Sequence, residues 1–245
     1  MFVYVDKPRW VTSFDIVYQI RKKFEKQKVW HSGTLDPFAT WLMILAVGKD
    51  TKNLTKFIGL DKEYIAEIDL SKESDTRDME HRDMLVEHEI WREKDEVKWI
   101  ILEWKKIEKP NQNKLVEILD KLVPNYNLPL PAFSAKKVNW KRLYESARKG
   151  KIAEEWREMK IYEYEILKYE FPIVEVRFKV WSGTYIRSIA YRLGKQLWTG
   201  WLLSWLRRTS VWEYDMTKMD LNERTNFERK WKNYEMNYRV ENLES

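Results

Sequence analysis

One short stretch carries most of the chemically suggestive residues of this chain: His31-Ser32-Gly33-Thr34-Leu35-Asp36-Pro37-Phe38-Ala39-Thr40. Pro37 restricts Asp36 to an extended backbone, and Gly33 permits a tight bend just ahead of it. An aspartate held on a stiff loop can serve as a nucleophile or a base. The same residues also fit an Asx-turn, or a helix cap with Pro37 in the first helical position. Metal chemistry is poorly supported. The chain has no cysteine and three histidines, His31, His81 and His88, so neither a thiolate site nor a histidine cluster is expected. No glycine-rich loop of Walker or Rossmann spacing occurs in the sequence.

The second chemical feature is basic. Between Ser134 and Lys151 the cations Lys136, Lys137, Lys141, Arg142, Arg148, Lys149 and Lys151 face a single acid, Glu145. Phe133, Trp140 and Tyr144 are interleaved with them, a composition that suits a phosphate backbone and unstacked bases. On charge alone a solvated helix face explains it equally well.

Elements able to position these groups can be read from periodicity. Thr12 and Asp15 resemble a capping box ahead of a helix with Phe14, Val17, Ile20 and Phe24 at helical spacing. Alternation predicts strands over 64–70 and 174–180. Ile186, Ile189, Ala190, Leu193 and Leu197 mark one face of a helix. Leu115, Ile118, Leu119 and Leu122 mark another, ended by Pro124. Strands and helices without a regular βαβ alternation argue for α+β.

The whole chain has 245 residues and a net charge of +6, room for one large domain or a domain with an appendage. No apolar run approaches the ~18 residues of a membrane span and no signal-peptide pattern opens the sequence, so a soluble cytoplasmic protein is expected. One pair of counts is anomalous: 7 glycines and 14 tryptophans. Average usage predicts roughly 17 glycines, and such a deficit leaves turns and helix ends without their usual residue for positive φ.

Taken together, several blocks resemble the TruB family of tRNA pseudouridine synthases. They are Lys7 to Phe14 with Lys7-Pro8 and Thr12-Ser13; Lys28 to Leu42 around His31 and Gly33-Thr34-Leu35-Asp36-Pro37; Val47-Gly48 with Thr51-Lys52; Asp61-Lys62-Glu63-Tyr64; Pro131 to Asn139; Ser182 to Ala190 with Arg187; and Leu206-Arg207-Arg208-Thr209. Their order and spacing carry the likeness across most of residues 3–215. The resemblance implies a pseudouridine synthase fold of the α+β class. In it a mixed, mainly antiparallel central sheet is flanked by helices and loops, with an RNA-gripping thumb at about 130–151. It implies a catalytic domain over 1–215 and a short tail over 216–245, a partial or degenerate appendage without a complete PUA domain, since Lys218–Ser245 show no convincing set of sandwich strands.

It also implies the chemistry: isomerisation of uridine to pseudouridine in the TΨC loop of tRNA, on a nucleotide flipped out of its stack. Asp36 matches the catalytic aspartate, and Arg187 the arginine that pairs with it. Tyr64 matches the tyrosine that stacks on the flipped base, and His31 the histidine that contacts the extruded nucleotide. Leu206 would line the base pocket. Lys7 and Lys62 match support or phosphate contacts. With Arg207 and the thumb residues Lys136, Lys137, Lys141, Arg142 and Arg148 they complete the expected RNA-binding set. No metal and no organic cofactor is implied, because the isomerisation is redox-neutral. The partner is tRNA, and a monomer is expected. Two other readings are a guide-RNA-dependent synthase, and a non-catalytic RNA-binding or RNA-folding protein on the same scaffold.

Tryptophan departs from the family pattern systematically. Trp10, Trp30, Trp41, Trp140, Trp198, Trp201 and Trp212, with Trp181 a further candidate, fall where the family blocks carry glycine. UGA encodes tryptophan in one variant code and glycine in another, so UGA-encoded glycines read as tryptophan are expected at these positions. The block at Asp75-Thr76-Arg77-Asp78 keeps part of a family pattern but lacks the glycine that normally follows.

Overall fold

Leu42 to Val47 is an unbroken apolar run, the signature of a strand covered on both faces, and all six residues are buried. The computed structural model describes residues 1–74, 76–79, 109–134, 137–138, 141–142, 155–215, 218–219, 221–229 and 232–241. In chain order its elements begin with β1 (Phe2–Lys7), α1 (Ser13–Lys23), β2 (Val29–His31), β3 (Thr40–Val47), a 3-10 stretch (Gly48–Lys56) and β4 (Lys62–Asp69). α2 (Gln112–Asp120), β5 (Asn125–Pro129), β6 (Lys137–Val138), β7 (Lys141–Arg142), β8 (Trp156–Glu170) and β9 (Ile173–Val180) follow. The chain ends with α3 (Ile186–Leu197), β10 (Leu202–Val211), β11 (Tyr214–Asp215), β12 (Glu223–Arg229) and β13 (Lys232–Glu241). The mixed, mainly antiparallel sheet and few helices fit the expected α+β class.

The chain divides into two compact units, residues 1–65 with 206–245, and residues 66–205. In the first, β3 lies antiparallel to β1 and β2, and β10 joins it in parallel at Arg207↔Thr40 and Arg208↔Trp41. One face of these strands packs Phe2, Tyr4, Leu42, Ile44 and Ala46 with Leu54, Phe57 and Val211. Helix α1 forms as its sequence predicts. The Thr12 hydroxyl accepts from the Asp15 amide at 3.1 Å, and the Asp15 carboxylate accepts from the Thr12 amide at 2.8 Å. Arg21, Lys22 and Lys23 fall in its last turn, where the helix dipole favours cations.

The C-terminal segment differs from the expected tail. β12 and β13 form an antiparallel hairpin, and β13 pairs with β1 from Phe2↔Glu241 to Val5↔Tyr238. Met236 and Tyr238 are fully buried. The described residues of this segment therefore belong to the first unit. The physical reason is that β1 has a second edge to satisfy, and the sparse apolar positions of 232–241 suffice once the partner strand supplies the ladder.

In the second unit β8 pairs antiparallel with both β5 and β9. Val174, Val176, Phe178 and Val180 are buried on one face of β9, with Leu115, Ile118 and Leu119 on α2 and Ile186, Ile189, Ala190 and Leu193 on α3 also buried. β6 and β7 form a two-stranded ladder, Lys137↔Arg142 and Val138↔Lys141. Lys136, Trp140 and Arg148 of the expected thumb lie outside the described residues, as do the side chains of Lys137, Lys141 and Arg142.

Seven non-glycine residues have positive φ among the described residues, and four of them are tryptophans: Trp10 (69°), Trp41 (78°), Trp198 (59°) and Trp212 (54°). Each is a position expected to be glycine. Trp198 is the left-handed cap of α3, with its amide and that of Thr199 both donating to the Gly194 carbonyl, the latter at 2.9 Å. Glycine is the usual residue there. Trp212 opens the two-residue turn between β10 and β11, where positive φ is standard. Trp30 and Trp201 do not share this backbone, and Trp140 lies outside the described residues.

Candidate active site

The Asp36 loop is fixed on both sides by side chains from β1 and α1. Lys7 closes β1 fully buried, and its ammonium donates to the carbonyls of Pro8 (3.1 Å), Val11 (2.6 Å) and Pro37 (3.0 Å). The Trp10 amide adds a second donor to Pro37 O at 2.7 Å. On the other side of Asp36, the buried Ser13 hydroxyl donates to Leu35 O at 3.1 Å and accepts from Leu35 N at 2.9 Å. The Ala39 amide donates to Asp36 O at 3.1 Å. Asp36 thus starts a turn over Pro37-Phe38, which excludes the helix-cap reading. Leu35, Phe38 and Ala39 are buried while Asp36 keeps a partly exposed carboxylate.

Beneath the loop lies Arg208, only 1% exposed. Its Nε donates to Leu42 O at 2.8 Å, Nη2 donates to the same oxygen, and Nη1 passes close to Gly33. Burial first, and then the Arg208 cation, hold the His31 imidazole below its ordinary pKa against a hydrogen bond involving the Gly33 backbone. His31 therefore meets its surroundings as the neutral imidazole at neutral pH. Lys62 donates to Leu60 O at 2.5 Å and is pulled down to about 8, chiefly by burial and next by Arg208, with Asp61 opposing. Tyr64 and Leu206 are buried at 8% and 5% exposure, and the Leu206 carbonyl accepts from Thr40 Oγ1 at 3.5 Å. The Arg207 guanidinium lies 3.4 Å from the centroid of the Trp41 ring and 4.0 Å from the Asp6 carboxylate.

Of the support and phosphate contacts expected, Lys7 donates to three main-chain carbonyls and so braces the loop. Lys62 is a buried amine. Arg207 retains a partly exposed side chain.

Arg187 stands in the second unit at the start of α3, 2% exposed. Its Nη1 reaches the fully buried Asp78 carboxylate at 3.0 Å and donates to Thr76 O at 3.0 Å, and its Nη2 donates to Phe133 O at 3.3 Å. The Thr76 hydroxyl donates to Asp78 Oδ1 at 2.9 Å. Thr76, Asp78, Ser13 and Arg208 were not singled out as site residues from sequence. The fragment Thr76-Arg77-Asp78 and the Leu206–Thr209 block were the signals for three of them. Among the described residues no group of three or more His, Cys, Asp or Glu could hold a metal ion, and no helix is long and apolar enough to cross a membrane.

The sheet architecture with this carboxylate loop defines the class of the pseudouridine synthase fold. Two solved structures share it at the level of fold. A complex of Cbf5, Nop10 and Gar1 matches with a TM-score of 0.62 and 24% identity over 87% of this chain. An H/ACA ribonucleoprotein bound to a substrate RNA containing 2′-deoxyuridine matches at 0.59 and 23%. The chain spans about half the length of those solved chains, 50% and 48%.

The family itself follows from sequence. The family model for TruB family pseudouridylate synthase (N terminal domain) matches residues 21–100 and 83–186. The tRNA pseudouridine synthase B of Chloroherpeton thalassium is 33% identical over 225 residues, covering 89% of this chain and 86% of that protein. The enzyme of the same name from Endomicrobium trichonymphae is 35% identical over 213 residues, covering 86% and 85%. That of Acholeplasma laidlawii is 40% identical over 213 residues, covering 86% and 68%. This chain belongs to the TruB family of pseudouridylate synthases.

Proposed function

We propose that this protein converts uridine to pseudouridine in the TΨC loop of tRNA, with Asp36 as the catalytic carboxylate. The observation that carries the assignment is the bracing of its loop. Lys7 and Trp10 hold Pro37 O while Ser13 holds both main-chain polar groups of Leu35, so the backbone on either side of Asp36 is fixed. Pre-organisation of this kind is what a reacting group needs and a surface turn does not.

In the reaction the C1′–N1 glycosidic bond breaks, the uracil rotates, and C1′ rejoins at C5. The C5 proton leaves and N1 gains one, so the change is internal and redox-neutral. A carboxylate can bond covalently to the substrate between detachment and reattachment. Tyr64 stacks on the flipped base, Leu206 lines its pocket, neutral His31 contacts the extruded nucleotide, and Arg187 is an active-site support residue. Arg207 and the thumb cations contact phosphate. On the same reading the enzyme works as a soluble cytoplasmic monomer without metal or organic cofactor.

Unmodified tRNA carrying tritium at uridine C5 tests the assignment. Tritium release by the parent, abolished in Asp36→Asn with tRNA binding retained, is the expected result. Binding by the parent without release would place the protein among RNA-folding factors instead.

A further inference from the structure

Helix α1 carries a face that none of the described residues covers and that the reaction scheme does not use. Its buried side is Ser13, Ile16, Val17 and Ile20. The opposite side presents Phe14 at 69% exposure and Tyr18 at 59%, four residues apart and therefore neighbours on the helix. One turn further the same face continues with exposed Arg21 and Lys22, and exposed Lys26 and Lys28 follow beyond the helix end. The acids of this stretch are Asp15, whose carboxylate accepts from the Thr12 amide in the helix cap, and Glu25. Lys23 is already engaged, 3.6 Å from Glu223 and over the Tyr238 ring. Among the described residues no ion pair reaches Arg21 or Lys22.

Two exposed aromatic rings followed by unpaired cations cost a protein solubility and self-repulsion unless they meet something. An apolar partner would leave the cations buried without counter-ions. RNA satisfies both halves, since bases stack on the rings and phosphates neutralise the cations. The position of the helix is the second argument. Ser13, which begins α1, holds both main-chain groups of Leu35, the residue before Asp36. Phe14 directly follows Ser13 in the chain, and the exposed face runs along the helix from it for about 12 Å to Lys22 at 1.5 Å per residue. A nucleotide presented to Asp36 has covalent neighbours on its own strand, which must leave the loop across some adjoining surface.

We infer that the exposed face of α1 is a track for substrate RNA. Phe14 and Tyr18 stack unpaired bases next to the reacting nucleotide, and Arg21 and Lys22, with Lys26 and Lys28, hold the following phosphates. The inference rests on the proposed tRNA substrate.

The test is the affinity of unmodified tRNA for the whole chain, measured by filter binding across a salt series, together with KM for tritium release. Reversing both charges in Arg21→Glu/Lys22→Glu is expected to weaken binding at least tenfold and to flatten the slope of log Kd against log salt by about 1.4, two single-strand phosphate contacts at ~0.7 each. Tyr18→Ala is expected to weaken binding about tenfold, with Tyr18→Phe restoring it. The same reversal in Lys114→Glu/Lys121→Glu on α2 measures the general effect of lost positive charge. All these residues are exposed, and far-ultraviolet circular dichroism checks that the variants fold. An α1 effect no larger than the α2 effect, with Tyr18→Ala at parental affinity, overturns the track and leaves the face to a protein partner. Binding does not depend on turnover. A parent that binds tRNA with the predicted α1 dependence but releases no tritium would therefore overturn the catalytic assignment and keep the track.

Discussion

Arg187 Nη1 lies 3.0 Å from the carboxylate of Asp78, with both side chains removed from solvent at 2% and 0% exposure. A buried guanidinium is tolerable only with a counter-charge and its remaining protons satisfied, and Thr76 O and Phe133 O supply part of that satisfaction. Asp78 is in turn fixed by the Thr76 hydroxyl. The pair sets the rotamer of Arg187 before any RNA arrives.

Removing one partner should therefore cost far more than removing both. Asp78→Ala leaves Arg187 charged and buried, and a loss of about 3–5 kcal/mol is expected in urea unfolding. The double variant Asp78→Leu/Arg187→Met should unfold at higher urea than Asp78→Ala while remaining inactive on tRNA. A double variant no more stable than the single one would show that the pair is not the dominant interaction there.

Lys7→Met should damage both stability and activity, because it keeps the stem's volume but strands the buried carbonyl of Val11 and removes one of the two donors to Pro37 O. Unsatisfied buried groups cost about 1–3 kcal/mol each. The expected signature is a fall in kcat greater than any rise in KM, since the Asp36 loop loosens while the RNA surfaces stay intact. A change confined to KM would mean that Lys7 does contact RNA.

The depressed pKa of Lys62 gives a pH dependence of definite sign. Its folded value of about 8 lies below the ordinary 10.5, so above pH 8 the unfolded chain binds more protons than the folded one. By linkage, the Lys62 contribution to stability is least favourable below pH 8 and improves as pH rises toward the unfolded value. Urea midpoints of the parent and Lys62→Met between pH 7.5 and 9.5 should therefore converge in this contribution as pH rises. Parallel midpoints across that window would show that the amine is not perturbed.

Trp198→Gly should stabilise the protein. The side chain is 90% exposed and contributes almost no burial, while its left-handed backbone (φ 59°) costs a non-glycine residue about 1–2 kcal/mol. Trp41→Gly should give a smaller net effect, because its ring packs on the core cluster and under Arg207. A rise in Tm for Trp198→Gly is the expected result. UGA codons at positions 10, 41, 198 and 212 of the gene would show that glycine is encoded there. UGG codons would show that the tryptophans are genuine, with their strain borne by the fold.

The sequence by itself determined the elements whose apolar spacing is strong: α1 with its Thr12–Asp15 cap, the alternating strand at 173–180, the helix at 186–197, and the rigid setting of Asp36 between Gly33 and Pro37. Local sterics and periodicity suffice for those, since each is decided within a few residues. It also exposed the misplaced tryptophans, because a glycine block is a statement about backbone geometry. The tertiary structure decided what depends on partners distant in the chain. Residues 232–241 are a strand because β1 offers an edge. Lys7 became a brace because Pro37, thirty residues on, turns its carbonyl toward the ammonium. Asp78 became the partner of Arg187, which lies 109 residues further along the chain. A charge reads the same in sequence whether it will be solvated or buried, and only the packing around it settles which.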